Sequence, residues 1–349
     1  MKKKLINKLP TVRKKQAKTD ERSTRITNET VAAHREQILA GGRKFKYPVQ
    51  YAKHKLVINS VVIAAVAIVV LCVLCWYLLY HAQLNTKFMY RLTQLFPVPV
   101  ASVDGEQARY SDYLRRYRTE VFYLQQHGQI NLNSVDGERQ SKYFKRKSLD
   151  SAIESAYVKG LARKHNIKVS SAEVNDFITQ AVSSESVSLQ AYEKTVLRNY
   201  YDWSLDEYRG VLAERLLAQK VSFAVDRSAE QRANALLKQV RVPDADFAAI
   251  AAQSSDDPVT KASGGDAGSL PLDNQDPDGL IAAARKLNVG ETSGLLKGSD
   301  AYYIIKLLEK SDVAVHYAQI KIELTELNKR LEAIKKSDKI KEYIKVEQL

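Results

Sequence analysis

Cysteine is scarce in this sequence, and signatures of metal or nucleotide binding are absent. The only two cysteines, Cys72 and Cys75, lie inside one apolar run, so the chain after that run can form no disulfide. The six histidines form no metal-spaced cluster with cysteines or acidic residues, and no phosphate-binding loop or G-x-G-x-x-G motif occurs. We therefore expect neither a metal ion nor a cofactor.

Charge is also absent from one long stretch. Residues 56–80, LVINSVVIAAVAIVVLCVLCWYLLY, contain no Asp, Glu, Lys, Arg or His. At 1.5 Å per residue, about 20 apolar residues cross the roughly 30 Å hydrocarbon core of a bilayer, so this run predicts one transmembrane helix. Trp76, Tyr77 and Tyr80 near its end are typical of a membrane–water interface.

Positive charge is concentrated before that helix. Residues 1–56 hold 16 Lys or Arg against 4 Asp or Glu, and therefore +12 of the net +14. This bias predicts a cytoplasmic amino terminus and an extracytoplasmic chain after residue 80. We interpret residues 1–55 as a basic, mostly disordered tail that contacts anionic lipid headgroups or has no specific partner, with RNA or DNA as an alternative. For the nearly neutral remainder we expect no nucleic-acid partner.

After a connector at 81–99, residues 100–227 are predicted to form a helical module. Asp104 and Gly105 between two short extended arms predict a β-hairpin, and a helix is predicted over 111–126. A four-residue spacing marks the apolar stripe of a second helix: Leu149, Ile153, Tyr157 and Leu161. Three capping boxes mark further helix starts: Ser170 with Glu173, Ser204 with Glu207, and Ser228 with Gln231.

Three segments of this module resemble, in the same order, the amino-terminal module of SurA-type and PrsA-type secretion chaperones. They are VDGEQARYSDYLRRY at 103–117, HNIKVSSAEVNDFI at 165–178 and SLDEYRGVLAERLLAQKV at 204–221. The resemblance implies a module that binds unfolded or nascent secreted polypeptides outside the cytoplasmic membrane of a bacterium. Ten of the 19 tyrosines fall between Tyr110 and Tyr208, and they either fill core and surface or form an aromatic groove for such chains.

The pattern over residues 228–312 predicts two helices, a glycine-rich loop, a strand, a helix and a strand. DADFAAIAAQSSDDPVTKASGGDAGSL at 244–270 resembles the parvulin (PpiC-type) peptidyl-prolyl isomerases, as does KLNVGETSGLLKGSDAYYIIKLLEK at 286–310. The matching positions of the first segment are Asp246, Phe247, Asp257, Gly264, Gly265, Asp266 and Gly268. We expect the loop glycines to adopt positive φ angles. The fold class is then α+β, with one transmembrane helix, a mainly helical chaperone module and a parvulin-like α/β domain.

The resemblance also implies a site. In the parvulin family this site contains two histidines, an Asp or Cys, a Thr, and a pocket of Met and Phe. Asp257 falls at the Asp/Cys position, and Tyr303 stands where one histidine is expected. The positions on the substrate side are Gly298 for the Thr, Asp276 for the Met, Leu280 for the first Phe and Arg285 for the second.

Two placements are open for the other histidine position. KVSFAVD would put Phe223 there, whereas VHYAQIKIE, after the domain, would put Gln319 there. We favour Gln319, because a helix that starts at Ser228 leaves Phe223 little room in a strand. The domain would then be circularly permuted, with its first strand supplied by residues 313–349. We expect this segment to form a strand, a helix and a second strand, YIKV, that pairs near Val100.

These patterns favour a membrane-anchored extracytoplasmic folding factor with weak or lost isomerase activity, because most of the family's site residues are replaced. One alternative is an active peptidyl-prolyl isomerase with the same anchoring. Another is a structural envelope protein that uses the modules as spacers. Asp257 and the glycine-rich loop also have a purely structural interpretation, since Asp side chains in turns often accept hydrogen bonds from nearby backbone N–H groups.

Overall fold

The computed structural model describes residues 27–46, 48–128, 131–132, 134–184 and 187–347. The chain divides into two units, Met1–Cys75 and Trp76–Leu349, which we describe separately. The first unit contains helix α1 (Asn28–Lys46) and all but the last residue of helix α2 (Pro48–Trp76).

Helix α1 lies in the tail that the sequence predicts to be disordered. That prediction is wrong for residues 28–46 and for residues 48–55, which belong to α2, while residues 1–26 lie outside the described part of the chain. The α1 sequence is rich in Ala, Glu, Arg and Gln, which favour helix, and Glu29 in the first turn interacts favourably with the helix dipole. The basic composition of the tail was therefore a poor guide to the backbone structure of residues 28–46.

Helix α2 is followed by a π-helical turn, Tyr77–His81. Together they contain an apolar helix, Lys55–His81, that is long and apolar enough to cross a membrane. Its bounds agree to within one residue at each end with the charge-free run at 56–80.

The helical module follows this turn. Its elements, in chain order, are α3 (Lys87–Leu95), β1 (Pro99–Val103), β2 (Glu106–Arg109), α4 (Tyr110–His127), α5 (Val135–Lys164), α6 (Ser171–Ser184), α7 (Leu189–Tyr192), a π-helical turn (Glu193–Tyr201) and α8 (Leu205–Val225). The predicted hairpin is formed by β1 and β2, with Asp104 and Gly105 at φ +48° and +85°. The capping boxes at Ser170 and Ser204 are both formed.

Tyrosine side chains fill much of the core of this module. Tyr110, Tyr113 and Tyr117 on α4 are each at most 4% exposed, and they pack against Leu149 and Ile153 of α5. The Tyr110 and Tyr113 rings meet edge to face, with centroids 5.6 Å apart. These three tyrosines therefore serve as core residues and are not available to a client chain.

A half-buried acidic group joins three helices of the module. Glu214 on α8 forms ion pairs with Arg115 (2.7 Å) and Arg116 (3.1 Å) on α4 and with Lys159 (2.9 Å) on α5. Burial alone would raise the pKa of Glu214, but the three cations outweigh it and lower this pKa to about 2. The carboxylate thus stays charged and fixes α8 against the α4–α5 pair.

Residues 226–347 form a second domain and then return to the first. Their elements are α9 (Arg227–Val240), α10 (Phe247–Ser254), a short 3-10 turn (Lys261–Ser263), β3 (Asp266–Pro271), α11 (Leu280–Ala284), β4 (Leu296–Lys297), β5 (Ala301–Lys310), β6 (Ala314–Glu323), α12 (Glu326–Lys335) and β7 (Ile340–Glu342). The second domain contains a four-stranded antiparallel sheet in the order β3-β6-β5-β4. Strand β6, from the carboxy-terminal side, therefore lies inside the sheet, as the permuted arrangement predicts.

The carboxy-terminal segment also completes the sheet of the helical module. Strand β7 pairs with β1 in an antiparallel manner, which gives the order β2-β1-β7. The sequence places this pairing at YIKV, residues 343–346, whereas the strand ends at Glu342. Only the first residue of that motif joins, since the Tyr343 N–H donates to the Val100 carbonyl at 2.9 Å.

The boundary between the two domains is organised by Asp226. This residue is 1% exposed, and its Oδ1 accepts from the Ala229 N–H at 3.0 Å, so it caps α9. Its Oδ2 accepts from the N–H groups of Thr325 (2.8 Å) and Glu326 (3.0 Å) at the start of α12. The predicted cap, Ser228, is displaced from that role: its hydroxyl donates to Asp226 at 2.8 Å.

We predict that Asp226→Ala lowers the free energy of unfolding by about 2–4 kcal/mol, because two helix starts lose their cap and buried N–H groups lose their acceptor. Asp226→Asn should cost less, since one oxygen remains to accept. Urea unfolding of the full chain in detergent measures both, and Asp312→Ala, at an exposed loop acid, is the matched control.

The pH dependence provides a second measurement on the same variants. Burial would raise the pKa of Asp226, but its hydrogen bonds outweigh burial and lower it. Its stabilisation is therefore complete above the unfolded pKa of about 3.9 and is lost as the pH falls through the folded value. Equal stability of Asp226→Ala and the Asp312 control at neutral pH would contradict this role.

Candidate functional site on the β5–β6 face

One face of the β5–β6 pair carries the predicted site residues. Alternate residues of β5 pack with α11 on this face, and β6 contributes Val315 and Tyr317. Because side chains alternate along a strand, Gln319 of β6 projects to the same side as Tyr317. The opposite face, with Tyr302 and Ile304, is covered by α9 and α10.

Asp257 lies at the edge of this face, in the loop after α10, and is 8% exposed. Its Oδ2 accepts from Thr260 Oγ1 at 2.5 Å and from Gln319 Nε2 at 2.6 Å, and its Oδ1 accepts from the Val259 N–H at 3.1 Å. Burial would raise the pKa of Asp257, but these hydrogen bonds and the charge of Lys321 outweigh it and lower the pKa. Asp257 is thus a carboxylate that accepts three hydrogen bonds from within the protein, of the about four that a carboxylate can accept.

The structure brings Gln319 to Asp257 and leaves Phe223 elsewhere. Phe223 lies in helix α8, and its ring meets Tyr302 edge to face with centroids 5.0 Å apart, on the opposite side of the sheet. Of the two candidates only Gln319 lies beside Asp257, and its correspondence to the family's first-strand histidine stays a prediction. An amide side chain there can donate to Asp257 but cannot exchange a proton near neutral pH as histidine can.

Tyr303 is 4% exposed and bonds to an acid that the sequence analysis did not identify. Its hydroxyl donates to Asp278 Oδ2 at 3.0 Å, while Asp278 Oδ1 accepts from the N–H and the hydroxyl of Ser299, both at 2.7 Å. Burial, and then the Asp278 carboxylate, raise the pKa of Tyr303, so its hydroxyl stays protonated. The D-P-D-G turn at 276–279 was the available signal for Asp278.

Side chains of the protein itself fill the space in which the resemblance implies a substrate pocket. A Cβ added at Gly298 would lie 2.6 Å from Tyr303 Cε2 and 2.7 Å from Asp278 Oδ1, so no larger side chain fits at this place. Leu280 is 6% exposed and packs in the same cluster as Tyr303 and Tyr317. The apolar surface of Tyr303 and Leu280 is thereby buried inside the protein.

The two charges expected in the pocket wall have other positions. Asp276 accepts from the N–H groups of Leu280 (2.6 Å) and Ala282 (2.9 Å), and it therefore caps α11. Arg285 lies just past the end of α11 and is exposed. Asp276 thus has a structural role at a helix start, and Arg285 does not line the buried cluster.

The glycine-rich loop runs beside β6. Gly264, Gly265 and Gly268 have φ angles of +67°, +85° and +74°, as expected for this loop. The Gly265 carbonyl accepts from the Gln319 N–H at 2.7 Å, and a Cβ on Gly265 would overlap the Gln319 carbonyl oxygen. This close approach holds the loop, and Asp257 with it, against β6.

Asp266 in the same loop bonds to backbone and to a histidine. Its Oδ1 accepts from the Gly268 N–H at 2.8 Å and from His316 Nε2 at 2.6 Å. The Gly268 N–H and then His316 lower the pKa of Asp266. Asp266 thus stabilises the turn and the β3–β6 edge. Among the described residues, no group of three or more His, Cys, Asp or Glu side chains is arranged to hold a metal ion.

Two family models match the chain. Residues 51–222 match the SurA-like N-terminal domain, and residues 216–309 match the PPIC-type PPIase domain. The second match starts inside α8 and stops before β6, so Gln319 lies outside it.

Curated relatives match both domains or part of them. The chain is 27% identical over 231 residues to the foldase protein PrsA of Caldanaerobacter subterraneus subsp. tengcongensis, a match that covers 59% of this chain and 72% of that protein. It is 28% identical over 172 residues to the chaperone SurA of Bordetella pertussis, and to that of Bordetella parapertussis. Each SurA match covers 48% of this chain but only 33% of the SurA protein.

We predict that Gly265→Ala destabilises the protein more than Gly268→Ala does. Both glycines have positive φ, which costs an alanine about 1–2 kcal/mol, but only Gly265 has backbone in the way of a new Cβ. The overlap should add about 1–3 kcal/mol. Urea unfolding of the two variants measures the difference, and equal losses would contradict the close approach of the loop to β6.

Proposed function

Because the chain is homologous to the PrsA foldases and SurA chaperones, with a SurA-like N-terminal domain and a PPIC-type PPIase domain, we propose that it is a membrane-anchored extracytoplasmic folding factor. It binds unfolded secreted polypeptides and isomerises their prolyl bonds weakly or not at all. Weak or absent isomerase activity is inferred from one observation: the candidate site is filled by the protein's own residues, with Tyr303, Asp278 and Gly298 packed on one another.

A catalyst of prolyl isomerisation needs a pocket that binds the proline ring, and it needs no chemically reactive side chain. The barrier of roughly 18–20 kcal/mol arises from lost amide resonance, so a catalyst must bind the twisted amide better than the planar one. Such binding requires room for the proline ring beside polar groups. Here Tyr303 and Leu280 bury the apolar surface themselves, and the Asp257 carboxylate is engaged by Thr260 and Gln319.

Binding of unfolded chains is supported by a surface of the helical module that we call the aromatic row. In spatial order it consists of Tyr123, His127, Tyr200, Tyr201, Trp203, Tyr208 and Tyr192. Consecutive ring centroids are 4.7–6.5 Å apart. Tyr123, Tyr200 and Tyr201 are 38–46% exposed, unlike the core tyrosines of α4.

The aromatic row is held in place by hydrogen bonds. Trp203 Nε1 donates to Thr119 Oγ1 at 2.7 Å, and His127 Nε2 donates to the Asn199 carbonyl at 3.1 Å. Rigid, partly exposed rings lose little entropy on binding and accept many side chains, because their contacts are apolar and sequence-tolerant. This combination suits a binder of unfolded chains.

Membrane anchoring rests on the apolar helix Lys55–His81 and on the basic residues before it. A span of this length with positive charge on its amino-terminal side supports a cytoplasmic amino terminus. Both domains then lie outside the cytoplasmic membrane of a bacterium, where secreted chains emerge unfolded. Contact of the basic tail with anionic lipid remains a prediction, since residues 1–26 are not described.

We predict that the purified protein isomerises a proline tetrapeptide at least about 100-fold more slowly than a parvulin with both histidines, equivalent to about 2.7 kcal/mol of transition-state stabilisation. The reason is the filled site. A protease-coupled or NMR exchange assay, run with several residues preceding proline, measures the rate. A rate close to that of such a parvulin, abolished by Asp257→Ala, would establish the active isomerase instead.

We predict that replacing Tyr123, Tyr200 and Tyr201 by Ala weakens binding of a permanently unfolded client. About 1 kcal/mol per ring corresponds to roughly fivefold in Kd for each substitution. Fluorescence anisotropy with a labelled client measures binding, and suppression of client aggregation checks it independently. Tyr143→Ala is the matched control, because Tyr143 is 45% exposed but lies outside the row. Equal losses for control and row variants would argue against this surface.

A further inference from the structure

Helix α3 has two apolar faces. Met89, Tyr90 and Thr93 are buried in the core of the helical module. On the other side, Phe88 is 68% exposed and Leu95 is 73% exposed. These two residues are seven apart and therefore lie on the same side of the helix, opposite the buried face.

Two residues flanking α3 extend this exposed apolar surface. Leu84 precedes the helix and Phe96 follows it, at 36% and 59% exposure. We call Leu84, Phe88, Leu95 and Phe96 together the α3 patch. An exposed cluster of this kind on a protein of otherwise ordinary composition calls for a partner that covers it.

Both ends of the α3 patch are tied to the last turn of the apolar helix. The Leu84 N–H donates to the Leu78 carbonyl at 3.0 Å, so Leu84 directly contacts a residue of the candidate membrane span. Near the other end, Tyr80 donates from its hydroxyl to the Pro99 carbonyl at 2.6 Å, only three residues after Phe96.

The end of the apolar helix is moreover part of the module's core. Leu79 is 3% exposed, and its carbonyl accepts from the Tyr110 hydroxyl at 2.5 Å. The patch therefore cannot move away from the end of the helix without breaking core contacts. If that helix spans a membrane, the patch must lie at the membrane surface.

We propose that the α3 patch is a membrane-contact surface that inserts into the headgroup region of the phospholipid bilayer. This inference rests on the proposed anchoring by the helix Lys55–His81. Residues 84–96 contain no acidic residue; Lys87 pairs with Asp202 of the module at 2.9 Å, and Arg91 adds a positive charge that suits anionic headgroups. Exposed Trp76 and Tyr77 on the adjoining turn are interfacial residue types as well.

Membrane contact at α3 gives the helical module a fixed orientation. An amphipathic helix of this type lies in the plane of the interface, with its apolar face buried about 5–10 Å into the boundary between headgroups and acyl chains. The module is then held at the membrane surface and does not swing on a flexible connector. Its client-binding surface would keep a constant height above the bilayer.

The test uses the full chain in vesicles of phosphatidylethanolamine and phosphatidylglycerol, with single cysteines carrying an environment-sensitive fluorophore. In a background of Cys72→Ser and Cys75→Ser, the labelled positions are Phe88→Cys, Leu95→Cys and, as an exposed control, Val259→Cys (81% exposed). A fourth protein keeps Cys72 and carries only Cys75→Ser, so that its label reports on the span. Lipids brominated on their acyl chains quench membrane-inserted labels, and aqueous iodide quenches labels in water.

We expect the labels at 88 and 95 to show blue-shifted emission and to lose intensity with brominated lipid, while the label at 259 responds only to iodide. If the label at 72 is quenched by brominated lipid but those at 88 and 95 behave like the one at 259, anchoring holds and the α3 patch proposal fails. Labels at 88 and 95 protected from both quenchers would indicate a protein partner, including a second copy, and also overturn it. Iodide quenching at 72 would instead refute the anchoring.

Discussion

One buried carboxylate links the two domains through their helix starts. Asp226 satisfies N–H groups at the beginning of α9 with one oxygen and at the beginning of α12 with the other. A charged group that is 1% exposed is tolerated only when its oxygens are fully hydrogen-bonded, and backbone N–H groups at two helix starts provide those donors. The relative position of α9 and α12 is thereby fixed within hydrogen-bonding tolerance.

That constraint matters because the chain passes between the domains twice. It leaves the helical module after α8, forms the second domain, and returns through β6, α12 and β7. Strand β6 lies inside the second sheet, while β7 completes the first. The carboxy-terminal segment therefore stabilises both domains at once, and neither sheet is complete without residues that are distant in sequence.

Local patterns predicted much of this fold. The hairpin at Asp104, the capping boxes at Ser170 and Ser204, and the positive φ of the loop glycines follow from short-range sequence rules, and each is present. Contacts between distant residues were harder to predict. Ser228 fits a capping box, but the buried Asp226, two residues earlier, bonds to the starts of both α9 and α12. No local sequence rule predicts the bond to α12. The prediction of a disordered tail failed for a different reason, because it rested on basic composition and did not weigh the residues of α1 that favour helix.

Matching single residues to the positions of the family motif was not enough to predict the structure of the candidate site. The sequence placed Asp257, Tyr303 and Gln319 at one site, and the structure brings Gln319 to Asp257. The state of the pocket also depends on Asp278, to which the sequence patterns assigned no role. A tyrosine at a histidine position adds an apolar ring, whose burial stabilises the folded state by about 2 kcal/mol. It also adds a hydroxyl, which needs a hydrogen-bond acceptor when it is buried. Asp278 supplies that acceptor, and Gly298 leaves room for the ring. Under the proposed function, the same interactions that stabilise this face of the sheet would exclude a proline ring, so stability at this site would oppose catalysis.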